Sequence, residues 1–134
     1  MYKRQKLDWS TEIGAGYSGP TVADGKVYVM DRVAEPQQIE RVHCFDQATG
    51  KNIWTHQYDA VYEGIGFPAG PRASVSIHDG KAYSIGSMGH AFCFDAASGD
   101  IIWQVDFNKQ YNIVANKRMP IWGCLLYTSP SPRD

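Results

Sequence analysis

Residues of the stretch 41–54 return in the same order 49 positions later. Cys44, Phe45, Asp46, Gly50, Ile53 and Trp54 reappear as Cys93, Phe94, Asp95, Gly99, Ile102 and Trp103. A fixed period in the 40s, made of short alternating runs, restricts a chain to arrays of small sheets in which each repeat is one supersecondary unit. It also supplies a ruler for the rest of the sequence.

Within each repeat the alternation marks four short strands. In the first they are TVA and KVYVMD within 21–31, then 41–46 and 52–58; in the second, 73–77, 81–85, 91–95 and 101–107. Asp24-Gly25 and Asp79-Gly80 each join the first strand to the second, and an Asp-Gly pair between alternating apolar runs signals a type I′ hairpin. Asp46, Thr49 and Gly50, repeated as Asp95, Ser98 and Gly99, specify the turn between strands three and four. The carboxylate and hydroxyl accept turn N–H groups, and the glycine takes the left-handed conformation. Trp54 and Trp103 follow, each able to cover a neighbouring sheet with one large ring. Residues 6–13, KLDWSTEI, read as the last strand of a preceding repeat, with Trp9 45 positions before Trp54.

Four antiparallel strands joined by tight turns make one blade of a β-propeller, so the fold class is all-β. The segments are then 1–13, the end of a preceding blade; 14–59 and 60–108, two blades; and 109–123, a link and the start of another. Strands one and three run the same way, so both tight turns of a blade share one rim. The long connections, expected at 32–40, 59–71 and 108–120, fall on the other, and long loops gathered on one face of a rigid scaffold mark a binding face. The two hairpin signals lie 55 positions apart rather than 49, so six extra residues sit in the first blade between its second and third strands, at 32–40.

The formal net charge is −1, with no basic run, which argues against a phosphate-neutralising nucleic-acid surface. No stretch is apolar for long enough to span a membrane, and the first 30 residues lack the core of a signal peptide. Cys44 and Cys93 occupy equivalent strand positions about one repeat apart, beyond disulfide reach, and read as small buried apolar residues. No CxxC or HxxxH spacing is present.

The pattern Asp46, Thr49, Gly50, Lys51, Trp54, with Asp95, Ser98, Gly99, Asp100, Trp103, resembles the tryptophan-docking motif of pyrroloquinoline-quinone-type propellers. That family holds quinoprotein alcohol and glucose dehydrogenases, the propeller lipoprotein of outer-membrane assembly, and many exported bacterial propellers. The resemblance runs from about Leu7 to Gly123, and GYSGPTVADGKVYVMDR, GFPAGPRASVSIHDGKAYSIGSMGHAFCFD and MPIWG look most like the exported group. It implies a periplasmic or exported protein acting as a binding or assembly scaffold of the cell envelope, or else part of a quinone-dependent alcohol or sugar dehydrogenase. Pyrroloquinoline quinone and calcium would belong to the full-length protein, and the partners would be the remaining blades, envelope proteins or a small ligand on the long-loop rim. Family alcohol dehydrogenases cover the quinone with an adjacent-cysteine pair, which is not found here.

The motif itself is structural, so no catalytic residue and no metal ligand is assigned. Candidates on the long-loop rim are Arg72 first, then Glu63, Lys117 and Arg118, with Arg32, Glu35, His90 and Lys109 beside them. Cationic groups there would hold a carboxylated quinone or an anionic saccharide by charge-assisted hydrogen bonds; the alternative is a solvated loop face. Arg72 follows Gly70-Pro71 and opens an inner strand, which aims it at the central channel. His43, His56, His78 and His90 read as strand residues, and Tyr62, Phe67 and Tyr111 as either a stacking platform or blade caps. The last eleven residues, 124–134, CLLYTSPSPRD, break the periodicity and resemble a translated sequencing adaptor, so they are excluded from the fold and the chain is expected to be a piece of a longer one. Two blades cannot close a ring of about four to eight.

Overall fold

A computed structural model of the chain describes residues 7–62, 70–107 and 109. It holds two four-stranded antiparallel sheets, each a meander in chain order. The first comprises β1 (Thr21–Ala23), β2 (Lys26–Val33), β3 (Ile39–Asp46) and β4 (Asn52–Asp59). The second comprises β5 (Ser76–His78), β6 (Lys81–Ile85), β7 (His90–Asp95) and β8 (Ile101–Asp106). The sheets approach most closely at β1 and β5, where the Thr21 hydroxyl donates to the Val75 carbonyl at 2.6 Å. Further out, Trp54, His56 and Tyr58 of β4 pack against Phe92 and Phe94 of β7.

Both hairpin signals are realised. Asp24 and Gly25 have φ of 51° and 75°, and Asp79 and Gly80 have 53° and 74°, the paired positive values of a type I′ turn. The core lies between the sheets. Tyr28, Met30, Val42, Cys44 and Trp54 of the first pack with Val75, Ala82, Phe92, Phe94 and Ala96 of the second. Period-two alternation accounts for it: each strand sends alternate residues to the shared face. Cys44 and Cys93 are free thiols with no exposed surface, and burial raises the pKa of Cys44.

The structure departs from the sequence expectations at three places. Residues 7–13 form no strand, since among the described residues no strand pairs with them; the chain instead makes a bridge at Ala15, opposite Arg32. The extra residues of the first blade do not form a long loop at 32–40. They lengthen β2 and β3, which stay in register through Arg32–Glu40 to Val33–Ile39, and a longer ladder satisfies more backbone groups than a loop. The first strand of the second blade begins at Ser76 rather than Ala73. Phe67, Tyr111 and residues 110–134 lie outside the described residues.

Candidate functional site

The repeated turns can be compared atom by atom. Asp46 Oδ1 accepts the Ala48 and Thr49 N–H groups at 2.9 and 3.0 Å, and Thr49 Oγ1 accepts the Lys51 N–H at 3.2 Å. Asp95 accepts the Ala97 and Ser98 N–H groups at 3.0 and 3.1 Å, and Ser98 accepts that of Asp100 at 3.2 Å. Backbone N–H donors, led by Thr49 in one turn and Ser98 in the other, lower both aspartate pKa values. Gly50 and Gly99 adopt φ of 76° and 80°. A Cβ added at Gly50 would lie 2.6 Å from the Trp9 ring, and one at Gly99 would lie 2.6 Å from Trp54. Each indole then donates to the same turn: Trp9 to the Gln47 carbonyl at 2.7 Å, Trp54 to the Ala96 carbonyl at 2.9 Å. Trp9 and Trp54 thus each sit on the turn that follows in the next sheet, so Asp46, Thr49, Gly50, Trp54, Asp95, Ser98 and Gly99 act there as a packing device.

The opposite rim carries two polar networks. In one, Asp31, fully buried, accepts Arg41 Nε and Nη2 at 2.8 and 2.6 Å and the Gly14 N–H at 2.6 Å. His43 Nε2 lies 3.1 Å from its Oδ2, and His43 Nδ1 is 3.0 Å from the Thr55 hydroxyl. Burial alone would raise the Asp31 pKa; the bonds from His43, Arg41 and Gly14 outweigh it and hold the carboxyl well below its usual range.

The other network joins the blades. Glu40, also fully buried, accepts the Tyr58 hydroxyl at 2.8 Å, the Tyr62 hydroxyl, and the Ser87 N–H at 3.1 Å. Burial, then the Glu40 charge, raises the pKa of both tyrosines, so they remain donors. Arg72 completes the network. It is buried, donating to the Gly70 carbonyl at 2.5 Å and to Ser87 Oγ at 3.0 Å, with its guanidinium 5.2 Å from the centre of the Tyr17 ring.

The remaining candidates are dispersed. Arg32 lies over the Tyr62 ring at 4.0 Å and donates to Gln38. Glu35 and His78 are exposed. His56 packs edge-on to Phe92, with centroids 4.9 Å apart. The Lys109 N–H donates to Asp106 at 3.1 Å. Glu63, Lys117 and Arg118 lie outside the described residues. Among those described, no three of His, Cys, Asp or Glu come together as metal ligands, and Arg72 meets protein oxygens with its Nη1.

Asp31, Glu40, Tyr58 and Ser87 escaped the sequence reading, although two carried a signal. Asp31 is in phase with Val27 and Val29, and Glu40 with Val42 and Cys44. An acidic residue on the apolar phase of a strand implies a buried partner.

Residues 38–121 match the family model described as outer membrane protein assembly factor BamB. The 1-butanol dehydrogenase (cytochrome c) of Thauera butanivorans is 28% identical over 132 aligned residues, covering 87% of this chain and 17% of that protein. Among solved structures, BamB from Moraxella catarrhalis has a TM-score of 0.51 at 18% identity, covering 73% of this chain and 26% of that one. A europium-containing methanol dehydrogenase also has a TM-score of 0.51, at 23% identity, covering 77% and 18%. At these identities the structural likeness concerns the fold. The chain spans about a sixth of the length of the curated relative and about a quarter or less of either structure.

Proposed function

The chain belongs to the family of outer membrane protein assembly factor BamB, and on that premise we propose that it supplies two blades, 14–59 and 60–108, of a larger exported β-propeller serving as a binding or assembly scaffold in the cell envelope. The observation that carries this reading is the commitment of rim polar groups to the protein itself. Glu40 of one blade accepts the Ser87 N–H of the other, and the Nη1 of Arg72, in the same blade as Ser87, donates to the Ser87 hydroxyl; such connected networks rigidify a scaffold. Partners would then meet the long-loop face held by these ties, while the tight-turn rim keeps the blades in step.

A second reading draws on the 28% identity to the butanol dehydrogenase across most of the chain. The blades would then be part of a quinone-dependent alcohol or sugar dehydrogenase whose quinone and calcium are held by residues beyond those described. The cofactor supplies such chemistry, and the protein contributes orientation and electrostatics. The two readings separate in one experiment. The full-length protein is mixed with pyrroloquinoline quinone and calcium, desalted, and assayed for bound chromophore and for dye reduction with 1-butanol. The scaffold reading expects the quinone to be lost on desalting. Retained quinone with butanol-dependent dye reduction would overturn it.

A further inference from the structure

A cleft of about 370 Å³ opens between the blades near the long-loop rim, lined by Tyr58, His90, Phe92, Gln104, Val105 and Asp106. Its position follows from register. His90 is the first residue of β7, Asp106 is the last of β8, and the two are cross-strand partners; Gln104 pairs with Phe92 two residues further in. Alternation therefore gives His90, Phe92, Gln104 and Asp106 one face of the second sheet, the face that meets Tyr58 of β4. Both walls come from described residues of these two sheets.

The walls differ in chemistry. Tyr58 and Phe92 form the apolar side, with ring centroids 4.7 Å apart, and Tyr58 also packs against the His90 ring at 5.2 Å. The Tyr58 hydroxyl is engaged by Glu40, so Tyr58 presents carbon rather than a donor. Gln104, Asp106 and His90 supply the polar side: an amide that both donates and accepts, a carboxylate that accepts, and an imidazole. His90 Nε2 lies 3.5 Å from Asp106 Oδ2, at the outer limit of a hydrogen bond, and His90 Nδ1 is buried without a hydrogen-bond partner.

We infer that this cleft is a binding site for a neutral, hydroxyl-rich ring, a single pyranose residue. Its charge excludes the other classes. An anion would meet the Asp106 carboxylate. A cation would find that carboxylate already shared between His90 and the Lys109 N–H. A metal ion would find one imidazole and one carboxylate, short of a stable set. A pyranose has an apolar face for Tyr58 and hydroxyls that both donate and accept for Gln104, Asp106 and His90, and the volume falls at the lower end of ligand pockets. The site is independent of quinone binding and of the assembly reading. Glu40 acts as a positioning residue, holding the Tyr58 ring against His90.

Saturation-transfer NMR on the full chain tests this, with methyl α-D-glucopyranoside as probe and with tetramethylammonium and zinc chlorides titrated separately. We expect saturable binding of the glycoside near or above about 1 mM. Gln104→Ala and Asp106→Asn should each weaken it by about tenfold, the loss of one well-made hydrogen bond, while Lys51→Ala on the opposite rim should not. Gln104 is exposed, so its substitution leaves the fold intact, which far-UV circular dichroism verifies. Absence of a saturable signal up to about 50 mM, or equal binding by all variants, would overturn the proposal. So would zinc or ammonium binding that His90→Ala removes while the glycoside gives none.

Discussion

At the residue scale, the two kinds of turn glycine separate two effects. Gly80 and Gly99 both have positive φ, but a Cβ at Gly80 meets nothing within 4 Å, whereas one at Gly99 meets the Trp54 indole at 2.6 Å. Gly80→Ala should therefore cost only the left-handed backbone penalty, about 1–2 kcal/mol. Gly99→Ala must also lift a ring that is 8% exposed and hydrogen-bonded to Ala96, so its cost should reach about 3 kcal/mol or more. Urea unfolding of the full chain measures both. Equal losses would mean that the indole contributes little to holding the blades together.

At the element scale, the shared face of β4 and β7 carries a titratable group among rings. His56 lies within 6 Å of Tyr58, Phe92 and Phe94, centroid to centroid; its Nε2 is buried without a partner, and burial lowers its pKa below the ordinary 6.5. The nearest other titratable groups on this face are Tyr58, with Glu40 behind it, and His90. A depressed histidine pKa means that the unfolded chain takes up the proton first, so stability is full above pH 6.5 and falls as pH drops below it. His56→Phe should flatten that part of the stability profile, measured by urea unfolding between pH 8 and 5. Asp31 acts in a different window, since its lowered pKa keeps its contribution intact until pH falls below the ordinary 3.8. The strands and turns of this interface were legible in the sequence because alternation and Asp-Gly pairs are local signals. The partners of Glu40 and Arg72 were not, because Ser87 lies 47 positions from one and 15 from the other and only folding brings them together. The place of Arg72 beside Gly70-Pro71 points to a channel cation, but position alone carries no information about where its guanidinium finds acceptors.

At the scale of the whole molecule, the two faces of the blade pair differ. Trp9 and Trp54 are seated on glycines, but Trp103 remains 44% exposed, beside Ile101 and Ile102 at 43% and 50%. Tyr83 packs behind it, with ring centroids 6.3 Å apart. An apolar surface of this kind drives association. The full chain should self-associate with rising concentration, and Trp103→Lys should shift light scattering toward the monomer while leaving the Trp54 contact untouched. Unchanged association would locate the sticky surface elsewhere.

The seating of each tryptophan on the following blade also bears on how such chains are inherited. The sequence repeat and the mechanical joint are out of phase: one copy of the repeat carries the tongue for its successor and the socket for its predecessor. Duplicating a single repeat therefore inserts one tongue and one socket at once, and the new copy engages both neighbours without any further substitution. Blade number can grow or shrink by whole repeats while every joint stays matched.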